Sequence, residues 1–202
     1  GGIMEILPFE DSKVKELCIA NWDTNADGEL SFEEAEAVSD IGSVFKDNDE
    51  IKSFNELQRF TNLTNINNEA FSSCSSLISV TLPNSVTRIG DNAFYNCSNL
   101  TSINIPNNMT SIGEHAFLYC EGLACIIVDS RNKVFDSRSN CNAIINTESN
   151  TLVVGCKTTI IPNSVTSIDS YAFYDCSSLT SITIPDSVTS IASYTFRNCS
   201  SL

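Results

Sequence analysis

The stretch CSSLISVTLPNSVTRIGDNAFYN, residues 74–96, decides the fold because the chain writes it again and again. It returns as CSNLTSINIPNNMTSIGEHAFLY (97–119) and as CSSLTSITIPDSVTSIASYTFRN (176–198). A further unit opens at CEGLACIIV (120–128) and resumes at TIIPNSVTSIDSYAFYD (159–175). Cys74, Cys97 and Cys120 are 23 residues apart, as are Cys176 and Cys199. A constant period of this length marks stacked structural repeats rather than a disulfide framework. The last residues, CSSL, open one more unit, so we expect the array to run on past Leu202, since an uncapped coil would expose core.

Within a unit, the alternation of Leu77, Val80 and Leu82 with Ser79 and Thr81 predicts a short strand with one face buried. Pro83 ends it, because proline has no N–H for a ladder. Val86 and Ile89 give a second extended piece, and Ala93 and Phe94 turn inward on a helical or 3₁₀ turn. Roughly seven apolar side chains per unit cannot form a core alone, but stacking aligns them in columns of Leu, Ile, Phe and Cys. Cysteine is small and readily buried, so the ladder reads as packed free thiols.

The repeated pattern resembles the BspA-like (treponemal) leucine-rich repeat class over 74–202, with a degenerate lead-in, IKSFNELQRFTNLTNINNEAFSS (51–73). That resemblance implies an α/β repeat solenoid, curved, with short parallel strands along its concave side. It also implies a bacterial cell-surface or secreted protein, since some members of the class are adhesins for host matrix proteins or other bacteria. On such a sheet the ligand face would show Ser79, Thr81, Ser102, Asn104, Ser181 and Thr183, all small and uncharged. Few aromatic anchors stand there, so binding of a protein or glycan would be weak per coil and multivalent. The alternative is a structural spacer that presents another module.

Cys120 and Cys176 are 56 residues apart, which leaves an insertion near 129–158. Two strand-like runs in it flank a polar turn, and symmetry about that turn sets Ile145 against Leu152, Ile144 against Val153, and Cys141 against Cys156. Opposed positions in a hairpin lie near the reach of a disulfide, so a bond and a pair of packed thiols both stay open. Arg131, Lys133 and Arg138 make this segment locally basic. It reads as an embellishment of the sheet or as a landmark for a partner.

The start of the chain differs. NWDTNADGELSFEE (21–34) sets Asp23, Asn25 and Asp27 at alternate positions, then Gly28, then Glu34. Glu29 would offer its carbonyl, Leu30 would point inward, and Ser31 would act through water. The spacing fits the whole EF-hand template: alternate side chains aim oxygens at one centre, and the exiting helix brings Glu34 back as a bidentate ligand. It resembles EF-hand and dockerin loops, which implies calcium. Ser31 with Glu34 equally forms a helix capping box. DSKVKELCIANW and SFEEAEAV read as the flanking helices, burying Val14, Leu17, Cys18, Phe32, Ala35 and Val38. No second full loop follows, so a single site would bind weakly and act as a structural clip. Residues 1–50 therefore read as an EF-hand-like helical cap on a solenoid spanning 51–202.

Charge and composition exclude several functions. Of the net charge of −14, residues 1–50 carry −11, with 14 acidic and 3 basic side chains. Neither part offers a basic face for nucleic acid. No apolar run nears the length of a membrane span, so no membrane insertion is expected. No signal sequence is visible, and the Gly-Gly start reads as a trimmed end. His115 is the one histidine; its equivalents are Asn92, Tyr171 and Tyr194, so it reads as a variable surface position. No catalytic triad, Cys/His pair or phosphate loop is present, and we expect no enzyme.

Overall fold

The computed structural model describes residues 4–202. Two helices, α1 (Ser12–Trp22) and α2 (Phe32–Ala37), lead into a solenoid of about six turns with a period near 23 residues. Its strands are β1 (Ser53–Phe54), β2 (Asn65–Ile66), β3 (Ser79–Val80), β4 (Arg88–Ile89), β5 (Ser102–Ile105), β6 (Ser111–Ile112), β7 (Cys125–Val128), β8 (Phe135–Asp136), β9 (Ile144–Asn146), β10 (Thr151–Val154), β11 (Ser167–Ile168) and β12 (Ser190–Ile191).

The strands stack in parallel from coil to coil, but in several short ladders rather than one continuous sheet. β1 pairs with β3, and β5 with β7, along the line of the predicted ligand face. β5 joins β3 through the Thr101 N–H, which donates to the Ile78 carbonyl at 3.2 Å. Val86 and Ile89 belong to a second ladder, β2–β4–β6, in which Ile66, Ile89 and Ile112 are in register. The close spacing of coils accounts for Gly90: a Cβ there would lie 2.5 Å from the backbone and side chain of Asn68 in the coil before.

The columns foreseen from the repeat are formed. Phe45, Phe71, Phe94 and Phe117 stack face to face with centroids 5.5, 5.3 and 5.4 Å apart. Beside them Cys74, Cys97 and Cys120 each donate a thiol hydrogen bond, 3.1 Å, to the carbonyl of Phe45, Phe71 and Phe94 respectively. All nine cysteines are free. The turns bond across coils too: the amides of Asn92, Phe94 and Asn96 donate to the carbonyls of Glu114, Ala116 and Leu118.

The N-terminal segment shares this core. Trp22 from α1 packs 6.1 Å from Phe45 and edge-on to Phe60 at 5.6 Å. Asp11 ties the two parts together. One carboxylate oxygen caps α1 through the amides of Lys13 and Val14, and the other accepts from Lys52 (2.6 Å) and Ser53 (3.2 Å) at the first coil. Of the predicted 1–50 segment, residues 1–3 lie outside the described residues.

The insertion interrupts the stack. β8, β9 and β10 form an antiparallel meander, and parallel pairing restarts from β10 to β11 and from β11 to β12. The ring column restarts as well, with Phe173 on Phe196 at 5.2 Å. The symmetric hairpin register holds at Ile145 and Leu152, then fails. A bulge sets Val154, not Val153, opposite Ile144. Cys141 and Cys156 are consequently not opposed: Cys141 enters the second core cluster and Cys156 the first, where its thiol meets the Asn142 carbonyl at 3.3 Å. The basic side chains are partly spent within the segment. Arg131 pairs with Asp129 at 3.0 Å, and Arg138 with Asp136 at 2.7 Å.

Candidate functional site

Two sets of residues are candidates, and the first is the N-terminal loop. Asp11 starts α1, and the helix delivers Asp23 just past its last residue, Trp22. Gly28 has φ +80°, the left-handed conformation that lets the loop reverse. Ser31 then caps α2 in a complete capping box: its hydroxyl accepts from the Glu34 amide at 3.0 Å, and Glu34 Oε1 accepts from the Ser31 amide at 2.9 Å.

Within this loop Asp23, Asp27 and Glu34 each place one carboxylate oxygen within 4.8 Å of the others. Asn25 belongs to the same ring of contacts, its Oδ1 accepting from the Asp27 amide at 3.2 Å. Glu34 is buried, and its Oε2 accepts from the Thr24 hydroxyl (3.1 Å) and the Asn25 amide (3.2 Å). Burial alone would raise its pKa, but the Ser31 and Asn25 amides and the Thr24 hydroxyl outweigh that and hold it below the usual carboxylate range. The Glu29 side chain pairs with Lys15 on α1 at 2.8 Å. Ser31 is buried, its hydroxyl occupied as the cap. Three carboxylates this close repel one another, and oxygen donors at this spacing fit a hard divalent cation.

One feature of the loop was not legible in the sequence. Leu7 donates to the Leu30 carbonyl at 2.8 Å, and Phe32 to the Glu5 carbonyl at 2.9 Å. Residues 5–7 thus cover the edge that a second loop would cover in a paired arrangement. Nothing in the residues around Ile6 signals so distant a partner.

The second set is the repeat face. Ser79 and Ser102 lie on β3 and β5, with Thr81 just beyond β3 and Asn104 within β5. Asn55 of the preceding coil engages two of them, donating to the Ser79 hydroxyl at 3.2 Å and accepting from Thr81 at 2.9 Å. Ser181 and Thr183 do not join this face. They are exposed and lie in a stretch that forms no strand. In their place β7 continues the row, with Cys125 opposite Ser102 and Ile127 opposite Asn104. Ile127 is 51% exposed, so the face is not wholly polar.

His115 is not the open surface position that its equivalents suggested. It is half-buried, edge-on to Tyr171 at 4.4 Å, where the broken stack brings distant coils together. Among the described residues no helix is long and apolar enough to cross a membrane.

Comparison with known proteins gives a consistent result. The profile of the family described as BspA type leucine rich repeat region matches in six copies, over residues 40–153 and 145–202. A crystal structure of a leucine rich cell surface protein from Faecalibacterium prausnitzii A2-165 is 31% identical, with TM-score 0.59, covering 74% of this chain and 40% of that one. The pneumococcal vaccine antigen PcpA superposes with TM-score 0.60 at 22% identity, over 69% of this chain and 36% of its own, and shares the fold. The chain therefore spans about two fifths of the length of these structures. No curated protein matches it.

Proposed function

This chain belongs to the BspA-type leucine-rich repeat family, and on that premise we propose that it is a non-catalytic binding module of a bacterial surface or secreted protein. Its ligand is a protein or glycan, host matrix components among them, met along the row of short strands. The observation that carries this reading is the face of β3, β5 and β7, where Ser79, Ser102, Asn104 and Ile127 repeat at the coil spacing. A ligand that spans several coils gains from each small contact without needing a deep pocket. In this reading one calcium ion at Asp23, Asn25, Asp27 and Glu34, with the Glu29 carbonyl and a water near Ser31, holds the helical cap closed over the first coil. The close approach of the three carboxylates supports it, since a divalent cation relieves their repulsion.

The experiment is a screen of the whole chain, with calcium, against immobilised matrix proteins and a glycan array. Wild-type protein should be retained by at least one of them, and the double change Ser102→Arg with Asn104→Arg should abolish retention while leaving the melt unaltered. A chain retained by none, or equally by the variant, contradicts the proposal and leaves the spacer role.

A further inference from the structure

The break in the stack opens a cleft of about 450 Å³ between the turn at 113–121 and the turn at 169–176. Residues 153–156 at the end of β10 close its back. In the first part of the stack the turns at 69–73 and 92–96 each hand three amide protons to the next coil, and beyond the break Phe173 and Asp175 hand over two. The equivalent amides of His115, Phe117 and Tyr119 make no hydrogen bond among the described residues. One wall of the cleft therefore carries backbone donors that a neighbouring coil would ordinarily satisfy.

The other wall carries a buried acid. Asp175 is only 7% exposed, lines the cleft, and its Oδ2 has no hydrogen-bond partner. Tyr119 lines the facing wall, and the nearby Asp175 carboxylate pushes the Tyr119 pKa up to about 12. Leaving a buried carboxylate oxygen unpaired is costly, and native structures do so sparingly outside functional sites. The floor of the cleft is apolar, with Leu123, Phe135 and Val154 among its residues, while Tyr171, Tyr174, Glu114 and Glu121 also line it, and neither lysine nor arginine does. Tyrosine faces beside carboxylates suit an organic cation. A metal centre is the poorer fit: the three thiols of the cleft belong to no cluster of metal-type ligands, and the N-terminal loop is the one such group among the described residues.

We propose that this cleft binds a basic side chain, lysine or arginine, of a polypeptide whose backbone carbonyls take the amides of His115, Phe117 and Tyr119. The cation sits between the tyrosine rings and pairs with Asp175. This site is separate from the strand face and does not depend on it. It gives the insertion a role, since a regular 23-residue coil in its place would fill the cleft.

The test is calorimetric titration of the whole chain with four probes: a blocked peptide with one arginine between glycines, its lysine and citrulline counterparts, and agmatine. The arginine or lysine peptide should bind. Citrulline, which keeps the shape without the charge, should bind at least about tenfold more weakly. Agmatine, which lacks a peptide backbone, should also be weaker. Asp175→Asn should lower affinity for the basic peptide by at least about tenfold and yet raise the melting temperature of the free protein, because it relieves an unpaired buried charge. A purely structural Asp175 would lower both. Equal binding of citrulline, unchanged affinity in the variant, or no binding of either basic peptide overturns the proposal. Agmatine binding as tightly as the peptide overturns the polypeptide part. Retention of neutral oligosaccharides that compete with the basic peptide assigns the cleft to glycan instead.

Discussion

Replacing Asp11 tests how firmly the N-terminal segment is fastened to the first coil. This side chain serves two masters: Oδ1 caps α1, while Oδ2 accepts from the amides of Lys52 and Ser53. Loss of the helix cap in Asp11→Ala costs about 1 kcal/mol. Loss of the charge-assisted bonds to the coil adds about 1–3 kcal/mol. Together these give about 2–4 kcal/mol, or a melting temperature lower by roughly 4–16 °C for a chain of this size. Asp11→Asn separates the terms, because asparagine caps a helix as well as aspartate does but brings no charge to Lys52 and Ser53. It should cost about half as much. Acid titration gives an independent reading. Burial alone would raise the Asp11 pKa, but the amides of Lys52, Val14, Ser53 and Lys13 prevail and hold it below the ordinary value. A carboxylate depressed in the folded state stabilises above its unfolded pKa, and that stability is lost as pH falls through the lower, folded value. Urea melts of the three proteins at neutral pH and through the acid range measure all of this. A cost below about 0.5 kcal/mol for Asp11→Ala, or the same acid profile with and without Asp11, would refute the fastening.

Two other expectations follow from the same contacts. Calcium should raise the melting temperature over a chelated control, and Glu34→Gln should remove that difference; identical melts with calcium and chelator would rule the site out. In native protein a thiol reagent should label Cys120, which is half-buried at the cleft, well before Cys97, which is fully buried and whose pKa is pushed up by the neighbouring Cys120 thiol and by burial. Equal labelling rates would contradict the break in the ladder.

What the sequence disclosed and what it hid follow from range. The coil could be read because its signals are local and repeated: the cysteine spacing, the prolines at 83 and 106, and the Ala-Phe pairs at 70–71, 93–94, 116–117 and 172–173. Asp23, Asp27 and Glu34 could be read because a twelve-residue loop fixes its own geometry. The bulge between Leu152 and Val154 was hidden, since period-2 alternation does not distinguish a regular hairpin from one with an extra residue. Asp11's bonds to Lys52 and Ser53, the cover of residues 5–7 on Leu30, and the contact of His115 with Tyr171 join positions far apart in the chain. No local pattern marks such partners. Ser181 and Thr183 looked equivalent to Ser79 and Thr81 because the repeat is faithful there, but a strand also needs a bonded neighbour, and these residues form no strand.

The most direct test of a solenoid broken once, between Phe117 and Phe173, is amide hydrogen exchange resolved to single residues. The amides of Asn92, Phe94 and Asn96, bonded to the next coil at 3.0, 2.8 and 2.8 Å, should exchange slowly, and so should those of Phe173 and Asp175 beyond the break. The equivalent amides of His115, Phe117 and Tyr119 should exchange faster by at least about a hundredfold. Uniform protection across all three turns would mean that the stack runs on without a break, and would contradict both the interrupted fold and the cleft built on it.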